Sequence, residues 1–216
     1  MQLSARCFAS LSMTGAGRRA LASPRCPRLL DSSTPRPVLV GLPACDLEVQ
    51  MVFWIFYLLG LATAAVRLWR RPGPRTPRQI VETIAQSQLV AGLGFAGLFS
   101  FLGHRYRSAD SARSIGWEPG SPFQQEVAFA NLGIGLTGVL CAWKRGGFWL
   151  ATTIAGAAFY IGAAVVHLEE LRRTDNKAIN NAGAIAPDIL IPGTILGLLA
   201  ARRVLPDDDP VIEADA

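Results

Sequence analysis

Five apolar runs divide the chain, each bounded by charged or turn-forming residues. The first covers residues 49–69 (VQMVFWIFYLLGLATAAVRLW), the second about 80–103, the third about 122–143 and the fourth about 148–167. A shorter fifth run, about 185–201, contains Asp188 and Pro192. A helix needs ~20 predominantly apolar residues to cross the hydrocarbon core of a bilayer, so the first four runs are long enough and the fifth is marginal. After the first run come Arg70, Arg71, Arg75 and Arg78 among Pro72, Pro74 and Pro77, a basic loop that cannot continue the helix. The pattern therefore predicts an all-α fold, an integral membrane bundle of four to five transmembrane helices.

Residues 1–47 are of another kind. Arg, Ser, Pro and Ala dominate, and no acidic residue precedes Asp31. Such a composition does not build a packed core. It fits translated upstream sequence in front of a start at Met51, a targeting segment, or a genuine tail, and the first is the expectation. The expected organisation is a disordered or spurious extension over 1–47, a transmembrane helical bundle over 48–203, and an acidic tail over 204–216.

Composition agrees with the pattern. Half of the residues are hydrophobic and the mean hydropathy is +0.30, high for a soluble chain. The net charge of +5 does not point to nucleic acid, because the Lys and Arg lie at the edges of apolar runs, where lipid headgroups meet them. Cys7, Cys26, Cys45 and Cys141 form no C-x-x-C pair, so neither a zinc site nor a disulfide framework is supported. No G-x-S-x-G elbow, Walker A loop or HExxH pair is present, and Gly92-Leu93-Gly94 with Gly97 lies inside an apolar run with no strand before it, so it belongs to helix packing. The absence of a repeat or inverted half counts against a secondary transporter. Small residues recur at four-residue spacing, as Gly92, Ala96 and Ser100; Ala151 and Ala155; Ala158 and Gly162; Gly193 and Gly197. They predict close helix approach and offer faces for oligomerisation.

Threading five spans through a bilayer places the arginines at 70–78, Lys144 with Arg145, and Arg202 with Arg203 on one side. The opposite loops mix their cations with Asp110, Glu118, Glu169, Glu170 and Asp175. The positive-inside bias predicts a cytoplasmic C-terminus, in a bacterial inner membrane.

Ser121-Pro122-Phe123-Gln124 reads as the start of the third helix, with Ser121 as N-cap, Pro122 at the first helical position and Gln124 as reciprocal capping partner. Glu126 lies in the second turn. Asn131 lies five residues on, about 7.5 Å deeper and about 140° around the helix, so the two do not share a face. The structural expectation for Glu126 is a headgroup-level carboxylate near the positive helix end, and for Asn131 an interhelical hydrogen bond.

These residues carry a resemblance. I-G-W-x-x-G-S-P-F-Q-x-E-V-x-x-A-N-L, Ile115 to Leu132, followed by Phe148-Trp149, by His167 and by an N-x-G before Asp188, resembles an uncharacterised family of small prokaryotic multi-helix membrane proteins, a domain of unknown function. The resemblance covers about 80–203, implies the membrane fold and brings no chemistry with it.

By topology, one rim gathers the candidate polar site: His104, Glu126, Asn131, His167, Glu170, Asn181 and Asp188. His167 and Glu170 share a helix face. The two histidines of the chain would need Glu126 or Asp188 to complete a divalent metal site, so such a site is the weaker expectation and no cofactor is predicted. An acid just inside an apolar segment faces a partner or a cavity, and the expected partner of Asp188 is His167 or an arginine of the same surface. Glu82 and Gln86 share a helix face on the other side, where pairing with nearby arginines is expected. The functional expectation is a polytopic membrane component, non-enzymatic, whose polar extracytoplasmic mouth binds a small ligand or a membrane partner. The alternative is a membrane-embedded enzyme using Glu126, His167 and Asp188 for proton transfer or metal binding.

Overall fold

The computed structural model describes residues 44–206. The readings placed on the chain before Ala44 and on the acidic tail after Pro206 lie outside the described residues. Helix α1 (Ala44–Arg70) is followed by one long helix in three parts: α2 (Pro77–Gln88), a π-helical stretch (Leu89–Phe95) and α3 (Ala96–Tyr106). Then come α4 (Ser108–Ile115), α5 (Phe123–Leu140), α6 (Gly147–Thr174), the single turn α7 (Ile179–Ala182) and α8 (Ile185–Val204), with no strand among the described residues.

Four helices are long and apolar enough to cross a membrane: Val52–Arg70, Pro77–Tyr106, Gly147–Thr174 and Ile179–Val204. The fifth run of the sequence is thus among the four, whereas α5 is not, because Gln124, Gln125, Glu126 and Asn131 dilute its apolar character. Large apolar side chains face outward from these helices, including Leu58, Phe95, Leu102, Ile154, Val165 and Ile189. In the first helix only 11% of the apolar window is buried inside the protein. Water would make so broad an apolar surface costly, whereas hydrocarbon accepts it.

The inner faces pack around Leu89, Leu93, Ile134, Trp149, Tyr160, Ile191 and Ile195. Helix α5 lies along the π-helical stretch and α3, α6 lies along α8, and α2 touches both α1 and α8, while α5 and α6 meet over a much smaller area. The first of these contacts is backbone on backbone. A Cβ on Gly138 would stand 2.5 Å from the amide nitrogen of Gly94, and one on Gly135 would stand 2.7 Å from that of Leu98. From the other side, a Cβ on Gly97 would meet the Cα of Gly135 at 2.9 Å. No side chain fits at these positions.

The small residues singled out by four-residue spacing behave differently. Gly92 does face a contact, with Ile191 Cγ2 3.2 Å from where its Cβ would be, but Gly162, Gly193 and Gly197 have nothing within 4 Å of theirs. Ala151, Ala155 and Ala158 are exposed. The intramolecular contact uses three-residue pairs, Gly94 with Gly97 and Gly135 with Gly138, which interleave across the two helices.

The arginine-rich end is closed by polar contacts. Glu82 accepts from Arg202 at 2.6 Å and from Arg78 at 3.4 Å, with Arg145 at 3.6 Å. Gln86 accepts from Arg67 at 2.8 Å and from Arg145 at 3.3 Å, and its amide nitrogen donates to the Cys141 and Ala142 carbonyls. The expected pairing of Glu82 and Gln86 with arginines is therefore present. Beneath them the buried Trp149 donates to the Cys141 carbonyl at 3.0 Å, with the Arg145 and Arg202 guanidiniums 5.3 and 6.0 Å from its ring centroid.

Replacing Gly138 by leucine must push α5 away from the π-helical stretch, and overpacking of this kind costs roughly 1–3 kcal/mol or more. Gly193→Leu, on an exposed face with open space around it, is expected to stay within about 0.5 kcal/mol of the parent. Thermal unfolding of the two variants in detergent, followed by loss of the monodisperse species, measures the difference.

Candidate functional site

Where α5 and α6 part, the bundle holds a cavity of about 650 Å³ lined from α1, α3, α4, α5, α6, α7 and α8. Its boundary is set by a loop that cannot vary much. Helix α4 ends at Gly116, whose φ of 83° is left-handed, and a Cβ there would stand 2.5 Å from Asn176 Oδ1. That asparagine donates to the Ile115 carbonyl at 2.9 Å and accepts from the Ala178 amide at 3.1 Å, so it ties the end of α4 to the turn between α6 and α7. Only glycine satisfies both conditions at position 116. The outer face of α4 is charged: Arg113 and Arg107 donate to Asp110 and hold its carboxyl below the usual carboxylate range.

Ile115, Trp117, Ser121, Gln124 and Asn131 all line the cavity, so the longest motif of the sequence is its wall. Ser121 Oγ accepts from the Phe123 amide at 3.3 Å, but the helix begins at Phe123 with Pro122 in the N-cap position, so Ser121 stands one residue before the cap and Pro122 is not the first helical residue. Gln124 is not its capping partner. Its amide oxygen instead lies 2.6 Å from His104 Nδ1, because the side chain points across to α3 and the tertiary contact displaces the local one.

Four of the seven candidate residues, His104, Asn131, His167 and Asp188, line the cavity. Asn181 is fully buried behind one of them: its Nδ2 donates to the His167 and Asn176 carbonyls at 3.2 and 2.8 Å, which leaves its Oδ1 to accept from His167 Nδ1 at 2.8 Å. The proton on Nδ1 is thereby fixed, and in a neutral imidazole Nε2 is then an acceptor. Trp117 stacks on the same ring, with centroids 6.0 Å apart and planes 26° apart. Deeper in, Tyr160 donates to Asn131 Oδ1 at 3.2 Å, an α5–α6 bridge of the kind expected for Asn131, whose own amide nitrogen donates back to the Val127 carbonyl. Glu126 and Glu170 do not line the cavity; Glu126 is exposed on the other side of α5 and Glu170 lies partly exposed toward the end of α6.

Two nearly enclosed cavity residues, Asp188 and Asn180, leave a side-chain polar group without a protein partner among the described residues. Asp188 is only 5% exposed, yet its carboxylate makes no hydrogen bond or ion pair among the described residues; neither His167 nor an arginine reaches it. Asn180 Nδ2 is buried and without a hydrogen-bond partner. Asp188 stands in the first turn of α8, where the helix dipole favours a negative charge. Pro192, four residues on, has no N–H to bond the Asp188 carbonyl, so that acceptor too is released from the helix ladder. Asp188 is marked in the sequence by its position in an apolar run, whereas Asn180 and Tyr160 reach the same cavity, and Asn176 the loop that bounds it, only in the tertiary arrangement.

Among the described residues, no group of three or more His, Cys, Asp and Glu side chains lies close enough together to hold a metal ion. Part of the lining is exposed and apolar, notably Phe99, Phe123 and Val166, so the cavity is bordered by the same outward surface that lipid would cover.

No curated protein and no solved structure matches the chain. A family model does match, over residues 50–208, which includes all of the membrane-capable helices and the whole cavity wall. The chain belongs to that family, a family of unknown function designated DUF6790.

Proposed function

We propose that this protein is a membrane component that binds a small amphiphile in the cavity between α3, α5, α6 and α8, with the ligand's polar head at Asp188 and Asn180. The observation that carries the reading is the pair of buried, unpartnered polar groups on one cavity wall, an acceptor at Asp188 and a donor at Asn180 Nδ2. Leaving such groups unpaired costs about 1–3 kcal/mol each in a folded protein. A head with one donor and one acceptor removes that cost, and His167 Nε2 supplies a further acceptor. The ligand's apolar portion lies against Phe99, Phe123, Phe159 and Val166, toward the bilayer. The cavity end faces away from the cytoplasm on this reading, since Arg70, Arg71, Arg75, Lys144, Arg145, Arg202 and Arg203 gather at the other end, which fits a cytoplasmic C-terminus in a bacterial inner membrane. Binding rather than catalysis is favoured because Glu126, the acid the enzymatic alternative requires, lies outside the cavity.

A monoacylglycerol, whose hydroxyls donate and whose ester carbonyl accepts, is the direct probe. Purified full-length protein is expected to bind it saturably, with a rise in unfolding temperature that decane does not reproduce. Asp188→Leu removes a carboxylate that has no partner to lose, so the variant is expected to unfold at the same temperature or higher while binding the probe at least about tenfold more weakly. Loss of stability in Asp188→Leu with unchanged binding would assign the carboxylate a purely structural role.

Asn181 tests the positioning of His167. Asn181→Leu strands the His167 and Asn176 carbonyls and frees the imidazole, and is expected to cost at least about 1–3 kcal/mol and to weaken probe binding. Glu126→Gln, on the exposed side of α5, is expected to change neither. Denaturant unfolding and probe titration of both variants provide the comparison.

A further inference from the structure

At the end of the bundle opposite the cavity, we infer a second site, a groove that holds the headgroup of an anionic phospholipid between Arg67 and Arg145. The inference is independent of the amphiphile reading and uses none of its residues. A groove of about 360 Å³ runs beside α1 and α2 and the π-helical stretch, with Leu59, Val90 and Phe95 on its apolar walls and the two arginines on its lining. Both guanidiniums converge on one neutral atom: Arg67 Nη2 and Arg145 Nη2 donate to Gln86 Oε1 at 2.8 and 3.3 Å. Arg67 makes its other contact with Ser87 Oγ at 3.4 Å, again a neutral group. Arg145 reaches Glu82 only at 3.6 Å, and that single carboxylate is already engaged by Arg202 at 2.6 Å and Arg78 at 3.4 Å.

Among the described residues Arg145 and Arg202 share the single carboxylate of Glu82 and Arg67 has only neutral partners, so positive charge is left over beside an apolar groove. Like charges brought to a shared neutral acceptor repel unless an anion lies between them, and a phosphate offers the oxygens that two planar guanidiniums bind well. A free phosphate would satisfy the arginines but leave the groove bare, whereas a phosphodiester with acyl chains meets both. Thr63, exposed on the groove, marks where those chains would pass. Anionic lipid in the facing leaflet supplies the occupant, and each arginine near such a surface adds about fivefold in affinity.

The test uses full-length protein, delipidated in detergent, with phosphatidylglycerol, phosphatidylcholine and inorganic phosphate as separate probes, read by native mass spectrometry and unfolding temperature. Phosphatidylglycerol is expected to bind at one copy per chain and to raise the unfolding temperature, with phosphatidylcholine and phosphate doing neither. Arg67→Gln, which disturbs only contacts to neutral groups, is expected to lower phosphatidylglycerol affinity about fivefold. Thr63→Trp keeps every charge and fills the groove, and is expected to weaken phosphatidylglycerol binding as well. Equal protection by phosphate alone would overturn the lipid assignment, as would binding insensitive to Arg67→Gln. A phosphatidylglycerol preference that appears only when Asp207, Asp208 and Asp209 are changed to asparagine would make the acidic tail the occupant and overturn it too.

Discussion

The cavity end of the bundle depends on two helices meeting with no side chain between them. Gly94 and Gly97 on one, and Gly135 and Gly138 on the other, let α5 touch the π-helical stretch and α3 through backbone atoms. In hydrocarbon there is no hydrophobic drive to bring helices together, so close van der Waals contact of this kind supplies much of the attraction. Its consequence is positional. With α5 drawn tightly against α3, Gln124 can reach His104, and Asn131 can reach Tyr160 on α6, yet α5 and α6 stay apart over much of their length. The cavity is the volume left when one helix pair packs to the limit and the next does not.

The two ends of the molecule treat polar groups in opposite ways. At the arginine-rich end, Glu82 and Gln86 make hydrogen bonds or ion pairs to several partners at once, Trp149 donates to the Cys141 carbonyl beneath two guanidiniums, and the surplus is of positive charge. At the cavity end, the histidines are held on one ring nitrogen by neutral amides, while Asp188 and Asn180 Nδ2 have no partner among the described residues. A fold selected only for stability would fill or pair such groups, because an unpaired polar atom in a dry interior costs more than a hydrogen bond returns. The contrast is between charge-rich pairing at one end and unpaired polar groups lining a cavity at the other.

Much of this architecture was legible in the sequence, for reasons that differ by feature. Runs of apolar residues bounded by arginines specify helices, and all five runs are helices in the structure, four of them long and apolar enough to cross a membrane. The motif from Ile115 to Leu132 was legible as important but not as a wall, since its residues face the cavity only after α4 turns back at Gly116 and Asn176 pins that turn. The assignment of Gly92, Gly94 and Gly97 to helix packing holds and Ala96 is buried, but the four-residue spacing at Gly162, Gly193 and Gly197 marks no contact, because the close approach alternates three-residue pairs across two helices and no single helix carries the full signal. Gln124 illustrates a local rule overridden by tertiary structure: its position fits a capping box, but His104 on α3 offers a stronger partner than the backbone N–H of Ser121. The π-helical stretch gave no sequence signal beyond the glycines it contains.

Asp188 shows how the bilayer changes the meaning of a residue. In a water-soluble bundle an acid in the first turn of a helix would be ordinary, capped by solvent and favoured by the dipole. Here Pro187 and Pro192 flank it, it is 5% exposed, and the aromatic walls around it adjoin the outward apolar surface rather than bulk water. Solvent is then a poor substitute for a partner, and the helix dipole offsets only part of the cost of holding a carboxylate there. On the proposed reading, a molecule arriving from the lipid with an apolar body and a hydrogen-bonding head meets both requirements of that environment at once, which neither water nor a purely apolar lipid chain can do.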